Sequence, residues 1–520
     1  MFTMSSFILR NKVTGTVWKT KAIQHQCFSS TGLKRAQLNL LKTEAFINGK
    51  WVSAKSGKTF QVTNPATGQV IASVPDMDVT DTKVAIEAAN EAFKTWGKTT
   101  AKERSVLLRK WYDAMVAHAN DLAALVTAEA GKPLPEALGE VNYGNSFVEW
   151  FSEEARRVNG DIIQSPQRSK EMMMIKQPIG VAALITPWNF PQAMITRKAG
   201  AALAAGCTCV IKPAEDTPFT ALALAELAQQ VGIPDGVINV VTSDRSNAPG
   251  IGNELCTSPH VAGLSFTGST EVGKLLYKQC ASGVKRVGLE LGGNAPFIVF
   301  ESADLDKAVE GAIASKFRNC GQTCVSANRF LIQDKVFDAF VQKLKDKMAT
   351  LKLGDGTKPD VNQGPLINMK QVEKVESIVK DAVDKGATVV YGGKPASNVG
   401  PQFYEPTLLT NIKPNMVCYT EEIFGPIAVC IKFQTEEEAV DIGNSTNRGL
   451  AGYFYSNNVS QVWKVAKLLE VGMVGVNEGL ISSAEAAFGG IKESGIGREG
   501  SHYGLEEYTY IKYICFGNLQ

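Results

Sequence analysis

Histidine is scarce in this chain, four in 520 residues (His25, His118, His260 and His502), and none of them sits in a recognisable motif. Cys207-Thr-Cys209 and Cys320-x-x-x-Cys324 have no matching His/Cys pair at zinc spacing, so no metal is expected. Net charge is nearly absent at +2, which argues against a nucleic-acid surface or a polybasic membrane patch. No apolar run of about 20 residues free of charge occurs, and a membrane-spanning helix is not expected. A disulfide framework is missing too. The ten cysteines are scattered along a long chain, as suits reduced thiols in a reducing compartment. Neither an internal repeat nor a low-complexity linker marks a domain border.

One local absence carries information. The first 43 residues hold no Asp or Glu, yet they carry Arg10, Lys12, Lys19, Lys21, Lys34, Arg35 and Lys42 among many hydroxyl residues. A basic, acid-free, Ser/Thr-rich start without a long apolar core reads as an organelle transit peptide over residues 1–36. Cleavage is expected near Ser29–Arg35.

The remaining length suits about three domain-sized units. Folded sequence begins at Phe46-Ile47-Asn48-Gly49-Lys50-Trp51-Val52, where Asn-Gly between apolar residues predicts a tight hairpin. Two helices follow, one carrying Val84, Ala88, Ala92 and Trp96, the other Leu107, Trp111 and Met115. From residue 181 short apolar runs alternate with helical segments: Val181–Ile185, Cys209–Ile211, Val237–Val241, Val261–Phe266 and Val287–Leu291. That alternation predicts a parallel, doubly wound α/β sheet. Ligands in such sheets bind beyond the carboxyl ends of the strands, so the residues just after each run matter most.

The first run ends in Pro187-Trp188-Asn189-Phe190-Pro191, a stiff turn that fixes the Asn189 amide either as an oxyanion donor or as the partner of its own turn. The second ends in Lys212-Pro213-Ala214-Glu215, where the carboxylate either accepts from a ribose 2′-hydroxyl and repels a 2′-phosphate, or is a solvated loop charge. Behind the fourth, Thr267-Gly268-Ser269-Thr270-Glu271-Val272-Gly273 is a phosphate-approaching helix start or an ordinary tight turn. The fifth ends in Glu290-Leu291-Gly292-Gly293, and Gly321-Gln322-Thr323-Cys324 lies further on. A cysteine is the best neutral-pH nucleophile once its proton is removed, though an inert core thiol is the common fate of a single one. A carboxylate can take that proton, or activate water.

Taken together, in this order, these elements and Glu421-Glu422-Ile423-Phe424-Gly425-Pro426 resemble the aldehyde dehydrogenase superfamily from about Phe46 to Phe516. The resemblance implies roles. Cys324 forms a thiohemiacetal and then a thioester, Asn189 holds the oxyanion, and Glu290 activates the hydrolytic water. NAD would be held by Trp188, Lys212, Glu215, Gly268, Ser269, Gly273, Glu422 and Phe424. The implied fold is a Rossmann-like cofactor domain (37–161 and 181–292), an α/β catalytic domain (293–495) and a small β oligomerisation element (162–180 and 496–520). A homotetramer is implied, with a dimer as the alternative.

Arg197, Arg318 and Ser482 lie in stretches similar to the branch of that family that oxidises succinate semialdehyde. Two guanidiniums and a hydroxyl suit a substrate carboxylate, in mitochondrial 4-aminobutyrate degradation. The rival substrate is another acid semialdehyde, such as glutarate semialdehyde. The rival of another class is a crystallin-like protein that reuses the fold without catalysis. Some relatives carry a second cysteine two positions after the nucleophile. Ser326 stands there in this chain, which leaves Cys320 as the other thiol of the loop.

Overall fold

The computed structural model describes residues 38–518; the segment read as a transit peptide lies outside them. Among the described residues no helix is long and apolar enough to cross a membrane.

Five strands form the parallel core of the first sheet: β1 (Val181–Ile185), β2 (Thr208–Lys212), β3 (Ile238–Val240), β4 (Val261–Thr267) and β5 (Arg286–Glu290). They lie in the order β3-β2-β1-β4-β5 and coincide with the five apolar runs. Strands buried on both faces need apolar residues at every position, which explains why they read as continuous runs. In β1, Ala182 and Leu184 enter one core layer, while Val181 and Ala183 enter the layer on the other face.

The Asn48-Gly49 hairpin is present, with φ of 52° and 71° at its two corner residues, the left-handed pair such a turn requires. Its strands, Ala45–Ile47 and Lys50–Val52, extend the sheet beyond β3. The first two helices, Val79–Trp96 and Ala101–Ala117, are each closed by a capping box, Asp78 with Asp81 and Thr100 with Glu103. The first buries Ala85, Ala89 and Trp96, the last of them in the expected row and the two alanines each beside a member of it, Val84 and Ala88.

A second, seven-stranded sheet spans Ala295–Val476 and is parallel except for its edge strand Thr388–Tyr391. A third sheet, all antiparallel, joins Asp161–Ile163, Lys170–Pro178 and Thr509–Gly517. The expected border at residue 496 is corrected here. Gly495–Ile496 pairs with Leu289–Glu290 at the edge of the first sheet, because β5 would otherwise present unpaired backbone. The short helical turn His502–Tyr508 packs against the helix Ala193–Ala205, and only the strand from Thr509 belongs to the small sheet.

Candidate active site

The strand order reverses between β1 and β4, and a crevice opens beyond their carboxyl ends. It holds ≈ 670 Å³ of empty space and draws its walls from both sheets. Trp188 and Asn189 come from the turn after β1, Gly268 and Ser269 from that after β4, and Glu290 from the end of β5. Cys324, Glu422 and Phe424 reach it from the second sheet's side. The Trp188 and Phe424 rings meet edge to face, 5.5 Å between centroids at 87°.

Cys324 is delivered by a strained loop. Asn319, Cys320 and Gly321 take successive left-handed φ values of 51°, 57° and 74°. Two of these are not glycine, a cost on the order of 1–3 kcal/mol each that the surroundings must offset. They do so with hydrogen bonds. Asn319 Nδ2 donates to the carbonyls of Asn189 (3.0 Å) and Gln322 (3.2 Å), and Asn319 N donates to Glu136 (3.0 Å). At Gly321 a Cβ would stand 2.2 Å from the Gly425 carbonyl oxygen, and at Gly293 one would stand 2.4 Å from the Cys324 carbonyl oxygen. Both glycines therefore bring the nucleophile's loop within backbone contact of its neighbours.

Asn189 is part of the same lock. Its Nδ2 donates to the Gln322 carbonyl at 3.1 Å, and its own carbonyl accepts from buried Lys132 at 2.9 Å. One amide N–H of Asn189 is left for the crevice, as an oxyanion donor would need. The Cys324 thiol is pushed up to about 12 by burial, with Arg197 pulling the other way. At rest it is a thiol. Glu290 is raised well above the usual carboxylate range, first by burial and then by the nearby charge of Glu499. Neither of its buried oxygens has a hydrogen-bond partner among the described residues. Glu290 thus stands at the crevice with both carboxyl oxygens free to bind water.

On the cofactor side the reading divides. The helix Thr270–Cys280 is capped by Ser269, whose hydroxyl accepts from Val272 N at 3.3 Å, and Gly268 and Ser269 at its start line the crevice. Glu422 accepts from Gly293 N at 3.0 Å; burial raises its carboxyl while Lys374, Arg448 and Lys316 oppose. Lys212 is buried at the last position of β2 and Glu215 half-buried just beyond it, with Lys212 Nζ donating to the Pro213 carbonyl at 2.9 Å. These groups suit a dinucleotide: backbone amides for phosphate, carboxylates for ribose hydroxyls. Gly273 does not fit that role. A Cβ there would meet the Leu291 side chain at 2.4 Å, so this glycine serves helix-to-strand packing. Gln371 and Lys374, on the helix Met369–Asp384, line the crevice and carried no sequence signal, being polar residues of an amphipathic helix.

Arg197 lies deep in the protein. It is 2 % exposed, ion-paired to Glu499 at 3.3 Å, and covered by the rings of Tyr143, Phe147 and Phe488. Its Nε has no hydrogen-bond partner among the described residues. Lys198 shares the same carboxylate of Glu499. Arg318 differs: among the described residues it has no carboxylate within ion-pair distance, and its guanidinium lies 5.3 Å over the Phe190 ring. The Tyr143 hydroxyl, which sequence reading passed over, accepts from Arg197 Nη2 at 2.7 Å. Cys320, the other thiol of the nucleophile's loop, is buried and donates to the Gly364 carbonyl at 3.2 Å, an inert setting.

Comparison with known proteins extends this picture. The sequence model of the aldehyde dehydrogenase family matches residues 51–514. The mitochondrial succinate-semialdehyde dehydrogenase of Homo sapiens is 58% identical over 95% of this chain and 92% of its own length. A glutarate-semialdehyde dehydrogenase of Pseudomonas aeruginosa is 55% identical over 92% and 99%. The crystal structure of an NADP-dependent enzyme of E. coli superposes with a TM-score of 0.91 at 55% identity, covering 93% of this chain and all of that one.

Proposed function

The chain belongs to the aldehyde dehydrogenase family, and from that premise we propose that it oxidises succinate semialdehyde to succinate with NAD, through a thioester on Cys324. The observation that carries the reading is the convergence of Cys324, Asn189 and Glu290 on one crevice from three separate elements.

In this mechanism Cys324 gives its proton to water in the crevice and attacks the aldehyde carbon. The oxyanion that forms accepts hydrogen bonds from the free amide N–H of Asn189 and the Cys324 backbone N–H. NAD, when bound, supplies the hydride acceptor that turns the thiohemiacetal into a thioester. Glu290, ionised for this step, takes a proton from water. The hydroxide adds to the acyl carbon, and the thiolate of Cys324 departs as the free acid forms. Glu215 supports NAD over NADP, because a 2′-phosphate beside that carboxylate would meet like charge.

The substrate's carboxylate falls to Arg197 and Arg318 with Ser482. Support for a mitochondrial location comes from the acid-free basic start and from the address of the human relative. The exposed antiparallel sheet ending at Thr509–Gly517 supports assembly into a homotetramer.

One experiment tests the whole reading: the rate of NAD reduction by the purified, reduced protein, with succinate semialdehyde, glutarate semialdehyde and butanal, then with NADP in place of NAD. Succinate semialdehyde is expected to exceed butanal by about two orders of magnitude in kcat/KM, roughly 3 kcal/mol. Glutarate semialdehyde, the substrate named for the Pseudomonas relative, should trail by about 1–3 kcal/mol for its extra methylene. Equal rates with butanal would remove the substrate assignment, and a preference for NADP would remove that of the cofactor.

A pH dependence follows from the two raised groups. Cys324 and Glu290 both react in their ionised forms, and both have pKa values shifted upward, so the reactive population grows as pH rises. Log kcat/KM is expected to climb from about pH 6 to pH 9, by up to about one unit per pH unit. A flat profile over that range would show that neither ionisation limits the reaction.

A further inference from the structure

Lys132 carries a charge that the mechanism above leaves unused. It stands just before the helix Leu134–Glu154, and its side chain is 1 % exposed. An ammonium has three protons to place, and burial makes each unplaced one costly. Here each has a partner. Nζ donates to the Glu140 carboxylate and to the Asn189 carbonyl, the latter at 2.9 Å, and it sits 3.9 Å from the centre of the Phe190 ring. Glu140, wholly buried, in turn accepts from Gln192 N at 3.0 Å. The pair therefore grips the turn after β1 at Asn189, Phe190 and Gln192.

The same segment reaches the nucleophile's loop. Glu136, on the first turn of that helix, accepts from Asn319 N at 3.0 Å, and Asn319 Nδ2 donates to the Asn189 carbonyl at 3.0 Å. Both lone pairs of that carbonyl are thus occupied, one by Lys132 and one by Asn319. Two fixed donors hold the peptide plane that follows Asn189, and with it the direction in which the Asn189 side chain leaves the backbone. The bond from Asn189 Nδ2 to the Gln322 carbonyl at 3.1 Å then sets the amide itself. Lys132 and Glu140 hold the turn with opposite polarity, one as donor to a C=O and the other as acceptor from an N–H. Such charge-assisted bonds are roughly twice as strong as neutral ones.

We propose that Lys132, locked by Glu140, is a positioning residue that holds Asn189 with its free amide N–H where the aldehyde oxygen becomes an oxyanion. This rests on the oxyanion role given to Asn189 above. Lys132 touches no reacting atom and acts through the Asn189 carbonyl. A donor displaced by about 1 Å loses a factor on the order of 10² in rate. The loss falls on the steps in which the oxyanion forms and leaves cofactor binding alone.

The test is a double-substitution cycle in the full-length protein, read as the pre-steady-state rate of hydride transfer from succinate semialdehyde, with a titration of NAD beside it. Lys132→Met removes the ammonium and keeps a stem of similar length. If the orphaned Glu140 unfolds that variant, Lys132→Met combined with Glu140→Gln takes its place, because no buried charge is then unpaired and the Gln192 bond keeps its acceptor. Either is expected to slow hydride transfer about tenfold to a hundredfold, with the Kd for NAD unchanged. Added to Asn189→Ala, the same change is expected to slow the reaction no further, because the amide it aims is already gone. Equal losses with and without Asn189 overturn the positioning role, and so does an unchanged rate in the lysine variants. A parallel loss of NAD binding marks a collapsed turn and overturns it as well. If Asn189→Ala itself keeps the full rate, the oxyanion reading falls, and the role of Lys132 falls with it.

Discussion

Cys324→Ala is expected to abolish aldehyde oxidation, by a factor on the order of 10⁴ or more, while nicotinamide cofactor binding persists. The size of the loss reflects what the thiol does. Without a sulfur there is no covalent intermediate, and hydride would have to leave from a hydrated aldehyde that no residue here is placed to form. The substitution is structurally mild. Cys324 is half-buried, and the strained loop that delivers it is held by Asn319, Asn189 and the glycines rather than by the thiol. Cofactor titration by protein fluorescence, beside a steady-state assay, separates the two effects. Robust turnover in the alanine variant would sink the covalent mechanism, and loss of both signals would point to a collapsed crevice.

Glu290→Gln should convert a cycling enzyme into one that fires once. Hydride transfer precedes the step that needs this side chain, so mixing with cofactor and aldehyde should release a burst of reduced cofactor near one per active site. Steady turnover should then fall by a factor on the order of 10³. The variant should fold normally for a reason specific to this site. Neither Glu290 oxygen has a hydrogen-bond partner among the described residues, so an amide of the same shape breaks no bond. Stopped-flow absorbance of the reduced nicotinamide reads both phases. Ordinary cycling would mean that another base serves the water. A missing burst would move Glu290 to the first half of the reaction.

Much of this architecture is written locally in the chain, and some of it is not. The five strands of the cofactor sheet were legible because burial on both faces demands unbroken apolar runs, and a two-residue turn demanded Asn48-Gly49. Cys324, Glu290 and Asn189 were legible because each follows a strand or sits in a short recognisable element. What the glycines beside them do was not: Gly293 and Gly321 are small because of atoms contributed by residues 324 and 425.

Arg197 shows the limit from the other side. Read alone it is a charge awaiting a ligand, and its ion-pair partner, Glu499, lies 302 residues further along the chain. No spacing rule reaches that far. Tyr143 was passed over for the same reason, since a tyrosine within an amphipathic helix reads as packing until the third dimension places Arg197 against its oxygen. The border at 496 failed because Gly495–Ile496, the strand that completes the edge of the first sheet, returns from beyond the second.

That return has a consequence for how the molecule is made. All seven strands of the second sheet lie in one uninterrupted stretch, Thr388–Tyr391 being its edge, so this part can close as soon as it leaves the ribosome. The sheet that begins earlier cannot finish first. Its edge beyond β5 awaits residues 495–496, and Lys170–Pro178 awaits Thr509–Gly517. During translation the hairpin's apolar Met172–Ile175 stretch therefore stands without its outer partner while more than half the chain is still being synthesised. The middle of the polypeptide sets first, the beginning is sealed by the end, and the interval between is when a chaperone has most to protect.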